Sequence, residues 1–91
     1  MLKSIGSDPA NWEGEYIRFS YINNEDDPNR KTDIWEVVAK KDGALLGEVK
    51  WFGRWRKYSF FAAPECIFEE VCLGDIADFL RWATDAEKHG V

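Results

Sequence analysis

Residues 33–62, DIWEVVAKKDGALLGEVKWFGRWRKYSFFA, decide the fold of this 91-residue chain. Runs rich in β-branched and aromatic residues predict strands at 33–41, 44–52 and 55–62. Between these runs, Asp42-Gly43 and Gly53-Arg54 are typical of two-residue hairpin turns, of types I′ and II′ respectively. The stretch therefore predicts three consecutive antiparallel strands that are joined by tight turns.

The flanking segments complete the predicted fold. Residues 15–22 alternate and predict a preceding strand, whereas residues 23–32 contain no apolar side chain and predict a loop. Residues 73–88 have apolar side chains at helical spacing and predict a helix, which is capped by Asp75 or begins one turn earlier. The sequence thus predicts an α+β fold: a four-stranded antiparallel meander (β-β-β-β-α) with one C-terminal helix packed on one sheet face.

Length and composition predict a single domain at 15–91, after an irregular N-terminal arm at 1–14 that Trp12 anchors. The sequence has no apolar run of membrane-spanning length and no N-terminus typical of a secretory signal. The chain contains 17 acidic residues, 12 basic residues and only two cysteines. We therefore expect an acidic protein that is located in the cytoplasm.

Two-residue turns would fix which side chains share a face of the sheet. The face expected to lie under the helix contains Ile34, Val38, Leu45, Val49, Trp51, Tyr58 and Phe60. The opposite face contains Trp35, Val37, Ala39, Leu46, Trp55 and Phe61. A three-residue second turn is the alternative, and it would move Arg56 to this opposite face.

The opposite face is half apolar, and one helix cannot cover both sides of a four-stranded sheet. The opposite face could be covered in three ways: by the N-terminal arm, by a second copy of the chain, or by a bound partner. For a homodimer, the contact residues would be Trp35, Val37, Leu46 and Phe61.

Charge is unevenly distributed in this chain of net charge −5. Residues 48–58, EVKWFGRWRKY, carry four basic residues and one acidic residue, and they are also rich in aromatic rings. The candidate binding residues are Lys50, Phe52, Arg54, Trp55, Arg56 and Lys57. The bases can pair with phosphate or carboxylate groups, and the rings can stack on a ligand or a partner. The alternative interpretation is that the aromatic residues form a buried hairpin and that the basic residues are ordinary solvent-facing side chains beside it.

Enzyme motifs are absent from the sequence: it has no glycine-rich phosphate loop, nucleophile elbow, Cys-x-x-Cys or His-Glu-x-x-His. The single histidine is His89. We therefore predict no catalytic residue, no metal ligand and no cofactor. Cys66 and Cys72 are expected to be plain, buried side chains. The alternative for Cys72 is a thiolate that a helix N-terminus stabilises.

Four motifs lie between residues 34 and 80: Ile34-Trp35, Leu46-Gly47-Glu48-Val49-Lys50-Trp51, Trp55-Arg56-Lys57-Tyr58-Ser59-Phe60 and Cys72-Leu73-Gly74-Asp75-Ile76-Ala77-Asp78-Phe79. This string resembles a family of small, uncharacterised bacterial and phage proteins. The resemblance implies a phage or mobile-element setting. It implies no particular chemistry and transfers no catalytic residue.

Together these observations predict a small non-catalytic protein that occupies a host protein through an aromatic-basic hairpin. The alternative partner is a small anionic ligand such as a nucleotide, or a nucleic acid, bound by the same sheet face. The net charge of −5 disfavours a nonspecific nucleic-acid binder, whose affinity comes mainly from summed positive charge. No membrane partner is expected.

Overall fold

The computed structural model describes residues 3–4, 11–22 and 31–88. The elements are β1 (Lys3–Ser4), β2 (Asn11–Glu13), β3 (Ile17–Ile22), β4 (Ile34–Ala39), β5 (Leu45–Phe52), β6 (Lys57–Ala62) and α1 (Glu70–Lys88). The strands form one sheet in chain order, and each neighbouring pair is antiparallel. The α+β class, the antiparallel meander and the C-terminal helix are therefore confirmed. The middle of the predicted loop, residues 23–30, lies outside the described residues.

The predicted number of four strands is wrong, because part of the N-terminal segment joins the sheet. β2 adds a fifth strand beside β3, and the two-residue β1 pairs with β2. Trp12 holds β2 in place, since its ring lies 5.4 Å from Phe79 and 4.4 Å from Trp82 of α1. A three-residue strand is too short to show an alternating pattern, so its sequence gives no strand signal.

The first hairpin differs from the predicted two-residue turn. Ala39 and Ala44 close a four-residue loop, in which Gly43 has a left-handed φ of 73°. A β-bulge follows, because Val38 pairs with Leu45 whereas Val37 pairs with Gly47. Relative to the predicted two-residue turn, the longer loop shifts the pairing of β4 with β5 by two residues, which leaves each side chain on its predicted face. The bulge then changes the pairing by one residue, so that the side chains of β4 exchange faces.

The exchange corrects the predicted core. Trp35 and Val37 lie under the helix and are 2% and 0% exposed, whereas the predicted core residue Leu45 is 48% exposed. Ile34 and Val38 are half-buried on the opposite side of β4. On β5 and β6 the predicted face is right for the buried residues Val49 and Tyr58.

The second hairpin also has a four-residue loop, Gly53 to Arg56, because Phe52 pairs with Lys57. Neither the predicted two-residue turn nor the three-residue alternative is present. The extra two residues leave the faces of β6 unchanged and place Trp55 in the loop rather than in the strand. Trp55 is thereby released from the ladder at the end of the hairpin.

Helix α1 covers one sheet face with Ile76, Phe79 and Ala83, all of them buried. Phe79 stacks on Phe19 of β3, with ring centroids 4.1 Å apart. The helix begins at Glu70, about one turn before the predicted start at residue 73, which agrees with the alternative of an earlier start. Its first turn is capped by Glu69, whose carboxylate accepts hydrogen bonds from the N–H groups of Val71 (3.1 Å) and Cys72 (2.8 Å).

Candidate binding surface

We call residues Phe52 to Lys57 the hairpin tip. Its loop is held by Phe52, whose carbonyl accepts hydrogen bonds from the N–H groups of Trp55 (3.2 Å) and Arg56 (2.9 Å). Arg56 has a left-handed φ of 55°, a conformation that residues other than glycine adopt at a cost of about 1 kcal/mol or more. Trp55 is 64% exposed and meets the Phe52 ring edge-on at 4.8 Å.

We call the side of β3–β6 that faces away from α1 the open face. Alternation along the strands places on it Arg18, Ser20, Ile22, Ile34, Glu36, Val38, Glu48, Lys50, Ser59 and Phe61. The open face continues the aromatic surface of the tip, because the Phe61 ring lies 6.1 Å from that of Phe52. The Lys50 ammonium lies 4.6 Å above the Phe61 ring and 3.5 Å from the Glu48 carboxylate.

The six predicted binding residues fall into two groups. Phe52, Arg54, Trp55, Arg56 and Lys57 all belong to the tip, and the last four are exposed. Lys50 lies on the open face and is already engaged by Glu48 and Phe61.

The predicted dimer residues do not share a surface. Trp35 and Val37 are buried beneath α1, and Leu46 packs against the same core. Only Phe61 lies on the open face, where it is 37% exposed. The bulge in β5 is the physical reason, since it turns Trp35 and Val37 towards the helix.

Tyr58 fixes the strand that carries the tip. Its N–H donates to the Thr84 hydroxyl (3.0 Å), and its own hydroxyl donates to the Glu87 carboxylate (3.2 Å). The same hydroxyl accepts a hydrogen bond from the Asp33 N–H at 3.0 Å. Burial, with the nearby Asp33 and Glu87 carboxylates, raises the pKa of Tyr58 to about 12. The start of β6 is thus tied to α1 and to the chain before β4.

A groove between β6 and α1 adjoins the tip and was missed by the sequence analysis. It has a volume of about 460 Å³, and its walls include Lys57 of the tip together with Leu80, Arg81 and Thr84 of the helix. Nothing in the local sequence pattern pairs these positions, because the register of a helix against a sheet depends on long-range packing.

Cys72 lacks the properties of an activated thiol. Burial and the neighbouring Glu69 carboxylate raise the pKa of the Cys72 thiol to about 11, so the thiolate is disfavoured near neutral pH. The predicted alternative, a thiolate stabilised by the helix N-terminus, is therefore wrong. Cys66 and Cys72 are both unpaired cysteines.

The front and back of the molecule differ in charge. The tip carries Arg54, Arg56 and Lys57, whereas residues 65–88 contain seven acidic and two basic residues. The helix packs on the side of the sheet away from the open face, and its Asp85 lines the groove beside Lys57. A partner that approaches the tip therefore meets a basic, aromatic surface on an otherwise acidic protein.

The chain is similar to a phage protein. The relative is described as an uncharacterised 9.3 kDa protein of Acholeplasma phage L2, and it is 28% identical over 74 residues. The match covers 81% of this chain and 91% of the phage protein. No protein-family model and no solved structure matches the chain. The similarity supports a small, uncharacterised phage-type family, whereas the four specific sequence motifs are not tested by it.

Across the described residues, no helix combines the length and the apolar character that crossing a lipid bilayer requires.

Proposed function

We propose that this is a small non-catalytic binding protein of a phage or another mobile element, which occupies a host protein in the cytoplasm through the hairpin tip. The exposed Trp55 carries the proposal. A large ring that is 64% exposed, buttressed by Phe52 and flanked by Arg54 and Arg56, has the composition of an interface hot spot.

The chemistry of the tip favours a partner with an apolar pocket and an acidic rim. Trp55 offers apolar area that association would bury, and the arginines offer planar donors that match carboxylates. Loss of such an anchor typically costs about 2 kcal/mol of binding free energy, or about thirtyfold in affinity. The acidic back of the molecule would also orient it with the tip towards an acidic surface.

Two carboxylates argue against a polyanionic partner on the open face. Glu36 and Glu48 are paired directly across β4 and β5, and Lys50 lies against Glu48. A nucleic acid laid along this face would meet these carboxylates, and among the described residues Arg18 is the one further cation on the face itself, the others lying at the tip. A nucleotide can be bound by one aromatic ring and two or three basic side chains, so it remains the alternative ligand for the tip.

The test compares capture of host proteins by immobilised parent, Trp55→Ala and Tyr16→Ala. Tyr16 is a matched control, because it is an exposed aromatic side chain (56%) outside the tip. We expect one protein to be captured by the parent and Tyr16→Ala, and to be lost with Trp55→Ala. Equal capture by all three would contradict the proposal. Two results would instead favour a nucleic acid or a nucleotide as the partner. One is binding that weakens with added salt with a slope that matches the number of phosphates contacted, and the other is thermal stabilisation of the protein by a nucleotide alone.

Arg56→Gly separates binding from folding. Glycine adopts the left-handed φ of 55° without strain, so we expect this variant to melt at or above the temperature of the parent. It also removes a guanidinium from the tip, so we expect weaker capture of the partner. Glu65→Gly is the matched control, since Glu65 has a φ of 63° in a different turn. Undiminished capture by Arg56→Gly would remove Arg56 from the site.

A further inference from the structure

Within the described part of the chain, no element covers the open face. The N-terminal strand β2 extends the edge of the sheet beside β3, and its Trp12 packs under the helix instead of across the other side. The open face nevertheless carries Ile22, Ile34 and Val38, each half-buried between polar neighbours. Its apolar surface therefore offers area to a partner.

Two opposite charges, Glu48 and Lys50, are neighbours on β5 on this face. Glu48 lies across from Glu36, a like-charged pair that costs stability in an isolated sheet. One row further along, Lys50 lies across from Ile34 on one side and Ser59 on the other. Neither neighbour is a carboxylate. The face thus presents a pair of carboxylates beside a single lysine.

We propose that a second copy of the chain covers the open face. A two-fold axis in the plane between the two sheets, perpendicular to the strands, places β5 against its counterpart in the opposite direction. Glu48 then faces the partner's Lys50, and Lys50 faces the partner's Glu48, so that the charge pattern is complementary to itself. This inference concerns a surface distinct from the tip, and the arrangement leaves the two tips at opposite ends.

The size of the face sets the expected strength. Four strands about 4.8 Å apart, each about 20 Å long, give a face of about 400 Å² per copy, or about 800 Å² in total, which is below the roughly 1,200 Å² of stable interfaces. We therefore expect a weak dimer that forms only at high micromolar concentration. Sedimentation of the full chain, in the absence of any partner, should show twice the mass of the chain at high protein concentration.

The decisive experiment mixes two charge variants. Glu48→Lys and Lys50→Glu should each be monomeric, because each places like charges against each other twice in its own dimer. An equimolar mixture of the two should sediment as a dimer, because both pairs then become attractive. A pairing within one chain cannot produce this complementation. We expect self-association of each variant alone to weaken at least about tenfold.

Matched variants keep the test interpretable. Asp78→Lys and Arg81→Glu swap charges in another ion pair, 3.0 Å long on α1 and therefore on the other side of the sheet from the open face, and should leave the mass unchanged. Ser59→Arg adds bulk beside Lys50 while Glu48 and Lys50 stay intact, and should weaken the dimer. Melting curves establish that each variant is folded. A monomeric parent, dimers of both single swaps, or a mixture of folded swaps that stays monomeric would overturn the proposal.

Discussion

At the scale of single residues, Tyr58 does the most to connect distant parts of the chain. Its backbone and hydroxyl groups bond to Asp33, which precedes β4, and to Thr84 and Glu87 in the last turns of the helix. The hydroxyl is the acceptor for a part-buried N–H, so its loss leaves that donor without its bond. The phenol therefore contributes through polar contacts as well as packing.

Tyr58→Phe tests this role. We expect it to lower the free energy of unfolding by about 1–3 kcal/mol, because the Asp33 N–H loses its acceptor while the ring is kept. Chemical denaturation measures the change. Tyr16→Phe removes the hydroxyl of an exposed tyrosine and should change stability by less than about 0.5 kcal/mol. Equal effects of the two substitutions would contradict the assignment.

The same phenol predicts a pH dependence. Folding raises the pKa of Tyr58 from 10.0 to about 12, so the folded protein holds this proton more tightly than the unfolded chain. The resulting stability is fully present below pH 10 and is lost as the pH rises towards 12. Lysines titrate in the same range, so the measurement is the difference between the unfolding curves of the parent and Tyr58→Phe. A difference that does not change between pH 9 and pH 12 would contradict the shift.

At the scale of elements, the bulge between β4 and β5 decides which side chains form the core. Val37 and Val38 are neighbours on one strand, yet Val37 is fully buried under the helix and Val38 lies on the open face. One inserted residue, Leu46, separates this arrangement from the one that regular pairing would give.

Val37→Ala and Val38→Ala test the register directly, since the chemical change is identical. We expect Val37→Ala to destabilise by about 2 kcal/mol or more, through lost transfer energy and the cavity that remains. Val38→Ala should cost less than about 1 kcal/mol in the monomer. Unfolding of dilute protein gives both values. A larger loss for Val38→Ala would restore the face assignment that two-residue turns predict.

The elements also show how far the sequence could predict the structure. Runs of β-formers and the spacing of Ile76, Phe79 and Ala83 predicted four strands and the helix, because those signals are local. The tip residues were predicted as a group because they are contiguous. The bulge and the strand at Trp12 were missed, because each depends on packing against residues far along the chain. The four-residue loops were missed because Asp-Gly and Gly-Arg fit turns of more than one length, and local hydrogen bonds close the longer loops here. Glu36, Lys50 and Phe61 become neighbours only once that register is known.

At the scale of the whole molecule, one buried carboxylate links the N-terminal part of the sheet to the helix. Asp75 is 2% exposed, and its Oδ2 accepts a hydrogen bond from the Glu15 N–H at 3.0 Å across 60 residues of sequence. Gly14 lies directly against this carboxylate, so that a Cβ there would collide with Asp75. The contact fixes the turn between β2 and β3.

A double-mutant cycle tests the link. Gly14→Ala should destabilise by about 1–3 kcal/mol through the collision, and Asp75→Ala by a similar amount through loss of the acceptor. In the double variant the collision is gone. Its destabilisation should therefore be about 1 kcal/mol smaller than the sum of the two single destabilisations. Gly74→Ala, in open space on α1, should instead stabilise the protein by up to about 1 kcal/mol. Strict additivity would contradict direct contact.

The order of the strands has a consequence for synthesis of the chain. Every strand pairs with its neighbour in sequence, so each hairpin can form as it leaves the ribosome without waiting for a distant segment. The aromatic side of the nascent sheet, with Phe19 and Trp35, stays uncovered until Phe79 emerges. A pause in translation before that point would leave an aggregation-prone intermediate with exposed aromatic side chains, which is the kind of species on which chaperones and proteases act.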